Sequence, residues 1–331
     1  MAAMILPGTR PGDDIPAMNQ PIGALEIILA QPRGFCAGVE RAIETVRLTL
    51  TRFGAPVYVL HEIVHNLHVL NELEQLGAVF VEDLADIPAG GICIFSAHGV
   101  SRAVEQAARQ LGLKTVDATC PLVGSVHRMV EKYHGEGCDV LIIGHHGHPE
   151  VIGAAGRVAD RVHVISSEQE ARQCRVADPG KVAFVTQTTL SREDIVGIVT
   201  IFRERFPELR GPASNICFAT QNRQDAVKRL AQQTDLILVV GSKNSSNSNR
   251  LREVAERHGT PGYLIDDSGD LQPAWFEGKR KIGITAGASA PERLVEGVID
   301  WIQKRRQATI AEMGGKKEHV HFDPAVVIDG E

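Results

Sequence analysis

One stretch of the sequence carries the pattern on which the fold prediction rests. Residues 236–250 read Leu-Ile-Leu-Val-Val-Gly-Ser-Lys-Asn-Ser-Ser-Asn-Ser-Asn-Arg, and Leu251 and Val254 continue the apolar face of a helix. A short apolar run, a polar turn and an amphipathic helix form the repeating unit of proteins with parallel sheets. The same succession recurs along the chain, so the predicted fold class is α/β with mainly parallel sheets.

Seven further apolar runs are followed by a turn of small or polar residues. They are Ile27–Ala30, Val57–Leu60, Ile92–Phe95, Thr115–Ala118, Val140–Ile143, Val182–Thr186 and Ile282–Thr285. The turns form two sets of three, which indicates a loose threefold repeat of about 95 residues. We therefore expect three similar α/β domains whose polar turns lie at the carboxyl ends of the strands. The predicted division is an N-terminal extension at 1–23, domains at 24–119, 120–213 and 214–307, and a C-terminal extension at 308–331.

Composition excludes several classes of protein. The 331 residues include 35 Lys and Arg against 41 Asp and Glu, a net charge of −6, and 5% are aromatic. Nucleic-acid binding is disfavoured because there is neither a basic excess nor a set of stacking aromatics. No apolar run approaches the length of a membrane span, and the first twenty residues carry two aspartates and three prolines. We therefore expect a cytoplasmic protein without a membrane partner.

The cysteines are the most informative titratable residues. They lie at positions 36, 93, 120, 138, 174 and 217, with no C-x-x-C pair. This spacing excludes zinc ribbons and thioredoxin-type pairs. Cys36, Cys120 and Cys217 each occupy a turn at a strand end or helix start, one in each predicted domain. A helix N-terminus stabilises a thiolate and favours metal ligation, so these three are candidate ligands, whereas the other three suit core or surface roles.

A short histidine motif resembles a zinc-protease signature. Residues 61–65 read His-Glu-Ile-Val-His, the H-E-x-x-H pattern that places two histidines on one face of a helix. The motif follows the strand Val57–Leu60 directly, so we expect His61 in a turn and the helix to begin near Asn66. We therefore disfavour a metalloprotease and interpret His65 as a loop histidine that faces a site.

The polar turns also suggest an anion site. The run Ser242–Asn249 supplies hydroxyls and amides at a predicted helix start, which suits phosphate, and His98, His148 and Ser289 end equivalent turns. If the domains converge, these donors surround one diphosphate; otherwise they are caps and turns. Glu150 follows a proline at a helix start, where the helix dipole would lower its pKa if it is exposed and burial beside a cluster would raise it. A carboxylic acid near a metal site can donate a proton.

Eight blocks of the sequence resemble the family of 4-hydroxy-3-methylbut-2-enyl diphosphate reductases, which catalyse the last step of the non-mevalonate (MEP) isoprenoid pathway. The blocks are PRGFCAGV (32–39), SAHGV (96–100), DATCPLV (117–123), GHPE (147–150), TQTTL (186–190), NRQ (222–224), VGSKNSSNSNR (240–250) and TAGASAP (285–291). They occur in order, and the resemblance runs from about residue 25 to 305.

The resemblance implies a trefoil of three α/β domains around a central [4Fe-4S] cluster ligated by Cys36, Cys120 and Cys217. Three thiolates leave one iron open to substrate. The implied reaction removes the allylic hydroxyl with two electrons and two protons, giving isopentenyl and dimethylallyl diphosphate. Glu150 matches the proton donor and Thr188 the residue that binds near the hydroxyl. The implied diphosphate-binding residues are His65, His98, His148, Ser245, Ser246, Asn247 and Ser289.

The implied protein is therefore an iron–sulfur oxidoreductase that acts on a small allylic diphosphate and receives electrons from a carrier such as a flavodoxin or ferredoxin. Two other functions remain open on the residues alone. A zinc-dependent or cluster-free phosphosugar isomerase would use the same anion loops. A non-enzymatic iron–sulfur sensor or scaffold would use the cysteines without turnover.

Overall fold

The structure is a computed structural model, and it describes residues 24–325. The predicted N-terminal extension at 1–23 and the last six residues lie outside the described part. Three sheets of five, four and three strands contain all the named strands, and every strand pair within them is parallel. The α/β class and the parallel pairing are therefore confirmed.

The strands group into sheets that follow the three predicted domains only in part. The four-stranded sheet has the order β3-β2-β4-β5, the three-stranded sheet β7-β6-β8 and the five-stranded sheet β10-β9-β11-β1-β12. The strands are β1 (Leu25–Leu29), β2 (Val57–Leu60), β3 (Ala78–Val81), β4 (Ile92–Phe95), β5 (Lys114–Asp117), β6 (Asp139–Ile143), β7 (Val162–Ile165), β8 (Val182–Thr186), β9 (Leu236–Val240), β10 (Gly262–Ile265), β11 (Lys281–Ala286) and β12 (Ala308–Glu312).

Ten α-helices accompany these strands in the described residues. They are α1 (Ala37–Phe53), α2 (Leu67–Gln75), α3 (Arg102–Gln110), α4 (Pro121–Gly135), α5 (Pro149–Ala155), α6 (Glu168–Gln173), α7 (Arg192–Arg205), α8 (Phe218–Ala231), α9 (Ser246–Arg257) and α10 (Glu292–Gln303). Between residues 24 and 325, no helix is long and apolar enough to cross a membrane.

Each sheet is buried beneath amphipathic helices. On α1, Ala42, Ile43, Val46 and Leu50 recur at helical spacing and pack with Val57 and Val59 of β2 in one apolar cluster. Because the central strands are covered on both faces, they read as continuous apolar runs. Their carboxyl ends are left to carry polar turns, and these turns meet at the centre of the molecule.

The sheets cross the domain boundaries predicted from the sequence at both ends. β1 pairs with β11 and β12 in the five-stranded sheet, although its position in the chain suggested that it belongs with the first domain. Residues from Ala308 onward were expected to form an irregular extension, but Ala308–Glu312 forms an edge strand beside β1. The first sheet begins with β2, so β1 and α1 connect the last sheet to the first.

Candidate functional site

The polar turns converge on one cavity of about 110 Å³. Loops from all three sheets line it, and the lining includes every side chain that the sequence predicted for the site. These are Cys36, His65, His98, Cys120, His148, Glu150, Thr188, Cys217, Ser245, Ser246, Asn247 and Ser289. The convergence on which the diphosphate hypothesis depended is therefore present, whereas the role of each residue stays a prediction.

Three cysteines lie at the starts of three long helices. Cys36 is the N-cap of α1, Cys120 the N-cap of α4 with Pro121 as its first residue, and Cys217 the N-cap of α8. Gly38 explains how two of them approach each other: a Cβ at this position would lie 2.6 Å from the Cys120 Sγ and 3.9 Å from the Cys36 Sγ. A glycine is required there because any side chain would occupy the space between the thiols.

Burial is the largest influence on the pKa of two of these thiols, Cys120 and Cys217. It raises the pKa of Cys120 to about 11 and that of Cys217 to about 12, and negative charge on the neighbouring thiols adds to both shifts. Backbone N–H groups at the two helix starts lower both pKa values, but by less than burial raises them. The Thr220 amide, 3.3 Å from the Cys217 Sγ, stabilises the thiolate there only in part.

This donor set fits an iron–sulfur cluster. The raised pKa values of Cys120 and Cys217 mean that both thiols need a nearby positive charge to ionise, and cluster irons supply it when thiolates coordinate them. All three cysteines line one cavity, and thiolates are the ligands that such a cluster takes. In the described part of the chain, no group of three or more His, Cys, Asp or Glu side chains is placed to hold a metal ion.

Three histidines form a second cluster beside the cysteines. The ring centroids of His65 and His98 are 4.2 Å apart, and both rings lie within 6 Å of the His148 ring centroid. Burial lowers the pKa of His148 to about 4 and holds that of His98 well below its usual range. His148 Nδ1 accepts a hydrogen bond from the Glu150 amide, so the neutral ring carries its proton on Nε2, as a donor.

The His-Glu-Ile-Val-His motif is a loop, as the sequence predicted. His61 has a φ of 58° and contacts Glu82, and α2 begins only after its N-cap Asn66. His65 Nδ1 lies 2.7 Å from the Glu62 carboxylate, whereas its Nε2 is buried without a partner in the described structure. The motif therefore presents one ring nitrogen to the cavity and does not form a metalloprotease site.

Glu62 is a residue whose contribution the sequence did not reveal. Its carboxylate accepts a hydrogen bond from His65 Nδ1. It also accepts from Asn244 Nδ2, which lies 2.8 Å from Oε2 and 3.1 Å from Oε1. Both contacts lower the pKa of Glu62, with that of His65 the larger. The carboxylate joins a histidine of the first domain to the serine-rich loop of the third.

The serine-rich run forms the start of α9, as expected. Ser245 caps the helix by accepting from the Ser248 amide, and Ser246 contacts Thr189 at 2.9 Å. Asn247 is buried, and both side-chain polar atoms lack a partner among the described residues. Ser289 differs from this pattern because its hydroxyl donates to the His65 carbonyl. The free amide of Asn247 and the helix start are suited to receive an anion.

Glu150 and Thr188 form one hydrogen-bonded pair. The Thr188 amide donates to Glu150 Oε1 at 2.7 Å and its hydroxyl donates to Oε2 at 2.9 Å. Glu150 is 3% exposed, and this burial raises its pKa from 4.5 to about 7 despite both hydrogen bonds. A carboxyl with such a pKa is partly protonated at neutral pH and can both give up and take up a proton.

Fold and site together define a class of protein, namely an α/β protein with parallel sheets and a pocket lined by three cysteines, three histidines, a buried carboxyl and a serine-rich helix start. The family model described as LytB protein matches residues 27–303. The chain belongs to this family, and it is an oxidoreductase.

Comparison with named proteins supports the assignment. The chain is 66% identical over 305 residues to the 4-hydroxy-3-methylbut-2-enyl diphosphate reductase of Desulfotalea psychrophila, covering 92% of this chain and 97% of that protein. It is 55% identical over 298 residues to the reductase of the same name from an Azoarcus species, covering 90% and 96%.

Solved structures agree. The E-1-hydroxy-2-methyl-but-2-enyl-4-diphosphate reductase from Plasmodium falciparum has a TM-score of 0.85 at 36% identity, covering 89% of this chain and 94% of that one. A second solved structure is that of (E)-4-hydroxy-3-methyl-but-2-enyl diphosphate reductase, the terminal enzyme of the non-mevalonate pathway. Its TM-score is 0.61 at 35% identity, and the match covers 85% of this chain and 99% of that one.

Proposed function

We propose that this protein reductively removes the allylic hydroxyl of (E)-4-hydroxy-3-methylbut-2-enyl diphosphate in the cytoplasm, as the final step of the non-mevalonate isoprenoid pathway. Substrate, two electrons and two protons give isopentenyl or dimethylallyl diphosphate and one water. One proton leaves with the hydroxyl as water and the other ends on carbon. The named relatives support this substrate. The single observation that carries the proposal is that three cysteines, Glu150, three histidines and the start of α9 line one cavity.

Cys36, Cys120 and Cys217 are the proposed ligands of a [4Fe-4S] cluster. Such a cluster supplies electrons and, where only three irons have protein ligands, one open coordination position. The protein residues around it exclude bulk water, since Glu150 and Thr188 are both buried. We further propose that a small carrier such as a flavodoxin or ferredoxin supplies the electrons.

The histidines and α9 hold the diphosphate in this proposal. His148 donates from Nε2 while neutral, and Asn247 donates from its unpartnered amide. The Glu62 carboxylate holds His65 Nδ1 at 2.7 Å, and His65 Nε2, which is buried without a partner among the described residues, faces the diphosphate in this proposal.

Glu150 and Thr188 handle the proton at the allylic oxygen. A protonated Glu150 can donate to Thr188 Oγ1, 2.9 Å away, and so release the threonine hydroxyl proton toward the substrate oxygen. The transfer needs no ordered water between the two side chains. Ser245, Ser246 and Ser289 complete the wall of the cavity on the side of the diphosphate.

Anaerobic purification and turnover test the proposal. We expect the protein to contain iron and sulfide with broad visible absorption, and to convert the allylic diphosphate to both products with reduced methyl viologen. Full activity without iron and after exposure to air would favour the phosphosugar isomerase. A cluster without turnover, with a fourth protein ligand, would favour the sensor or scaffold.

A Glu62→Gln variant is expected to raise KM for the diphosphate about tenfold with kcat within about twofold. The amide keeps the size of the side chain but removes the charged acceptor that holds both His65 Nδ1 and Asn244 Nδ2. A hydrogen bond to a charged group contributes about 1.5–3 kcal/mol, and about 1.4 kcal/mol corresponds to a factor of ten. Steady-state kinetics under anaerobic conditions measure both constants.

The matched control is Glu82→Gln. Glu82 contacts His61, which lies on the same loop as Glu62, and the Glu82 side chain is 87% exposed. We expect its KM to match that of the wild type. An unchanged KM in Glu62→Gln, or a loss confined to kcat, would contradict a role for Glu62 in binding the diphosphate.

A further inference from the structure

Arg223 is a fully buried cation beside two of the cysteine loops. It lies on α8, is 1% exposed and makes five hydrogen bonds, one for each of its N–H groups. Nε and Nη2 donate to the Gly34 carbonyl at 3.0 and 2.8 Å, and Nη2 donates to the Phe35 carbonyl at 2.9 Å. The remaining two bonds, from Nη1, reach Ala219 and Glu318.

These contacts connect two proposed ligands through the backbone. Gly34 and Phe35 directly precede Cys36, and Ala219 lies two residues after Cys217 in the first turn of α8. A guanidinium is rigid and planar, so bonds from its three nitrogens fix the positions of the groups that accept them. Arg223 therefore sets the distance between the loop of the first cysteine and the helix start of the third.

The negative charge that balances Arg223 belongs to Glu318, which lies in the C-terminal segment beyond the residues that match the family model. Glu318 Oε2 lies 3.0 Å from Arg223 Nη1, and its Oε1 accepts from Asn222 Nδ2 at 2.7 Å. Among the residues that the structure describes, Glu318 is the one carboxylate within ion-pair distance of Arg223. A buried guanidinium without a counter-charge is costly, so this contact stabilises the arginine in place.

The segment around Glu318 is anchored on both sides of the contact. Upstream, the Met313 amide donates to the Leu29 carbonyl, which extends the pairing of β12 with β1. Downstream, Arg41 of α1 donates to the Asp323 carbonyl at 2.9 Å, and the Ala325 amide donates to Thr45 Oγ1 at 3.0 Å. Residues 313–325, which we call the C-terminal strap, thus run from the last sheet to the helix that Cys36 caps.

We propose that the C-terminal strap is a positioning element of the metal centre: Glu318 holds Arg223, and Arg223 holds the Cys36 and Cys217 loops at the separation that the cluster requires. Glu318 and Arg223 touch neither substrate nor cluster in this role. The inference rests on the cluster of the proposed function. It assigns a function to a segment that the sequence pattern left as an extension.

A Glu318→Ala variant of the full chain tests the inference through the cluster itself. After anaerobic reconstitution, we expect a ferrous-iron chelator to remove the cluster about tenfold faster than from the wild type, since residues that orient metal ligands change affinity by about 10–100-fold. The EPR spectrum of the reduced protein is expected to change as well. Glu318→Gln keeps an acceptor for Arg223 but removes the counter-charge, so it is expected to lose the cluster at a rate between those of the wild type and Glu318→Ala.

Two further variants separate positioning from folding. Lys317→Ala changes the exposed neighbour of Glu318 in the strap and is expected to lose its cluster at the wild-type rate. Asn222→Ala removes one bond to the Glu318 carboxylate while the ion pair remains, and is expected to lose its cluster about threefold faster. The thermal unfolding midpoint of each metal-free variant shows whether the fold itself has changed.

The inference is overturned if Glu318→Ala and Asn222→Ala keep the wild-type rate and spectrum, if Glu318→Gln fails as completely as Glu318→Ala, or if faster loss merely follows a lowered unfolding midpoint. The proposed function fails by a different result, namely a wild-type protein that binds neither iron nor sulfide.

Discussion

A Cys120→Ser variant is expected to purify without its iron–sulfur cluster and to lose more than about a hundredfold of its turnover. Changes to residues that only orient ligands already cost about 10–100-fold, so loss of a ligand costs more. The hydroxyl of serine ionises far less readily than a thiol, and Cys120 lies where burial already opposes ionisation, with a pKa of about 11. Iron and sulfide content and anaerobic kinetics measure the two effects.

Cys174→Ser is the matched control. Cys174 is buried in the core of the three-stranded sheet, and it is not among the residues that line the cavity. We expect this variant to keep its cluster and its turnover. Retention of a full cluster in Cys120→Ser would contradict the ligand assignment, and equal cluster loss in both variants would point to misfolding.

The sequence predicted the interior of the fold better than its edges. Eight predicted apolar runs became strands, and six of them occupy interior positions in their sheets. The four strands that it did not predict are β3, β7, β10 and β12, and each lies at a sheet edge. Edge strands are covered on fewer sides, and each of these four is partly or largely exposed along its length, so less of its sequence has to be apolar. Strand β3, which reads Ala-Val-Phe-Val, was missed although its sequence is apolar.

The place of β1 could not be predicted from local pattern. A strand followed by a helix normally pairs with its neighbour in the chain, and this preference assigned β1 to the first domain. Its partners are instead β11 and β12, more than 250 residues away. Such pairing depends on which sheet has an open edge when the chain is folded, and no short stretch of sequence contains that information.

The site was predictable because its side chains follow strand ends, a position that the sequence reveals. What the sequence left undetermined were the effects of burial. A helix start lowers the pKa of Glu150 and desolvation raises it, and the two effects could be weighed only once the exposure of the side chain was known to be 3%. The contribution of Glu62 and Glu318 was equally hidden, because each acts through a contact with a residue distant in the chain.

A Glu150→Gln variant is expected to lose about 10²–10⁴-fold in kcat while it keeps its cluster, the range typical of removing a general acid. Glutamine preserves the size of the side chain, and its amide oxygen still accepts from the Thr188 amide that now lies 2.7 Å from Oε1. What it removes is the transferable proton. Anaerobic kinetics measure the loss, and the visible spectrum confirms that the cluster is present.

The pH profile distinguishes loss of the acid from loss of structure. Burial raises the pKa of Glu150 to about 7, and the protonated form is the active one, so wild-type kcat is expected to fall as the pH rises through about 7. In Glu150→Gln this decline is expected to be absent, because amides do not titrate in this range. Glu277→Gln, on an exposed turn, is expected to retain both the rate and the decline. A wild-type profile that stays flat up to pH 9, or a Glu150→Gln variant that keeps the decline, would assign the proton to another group.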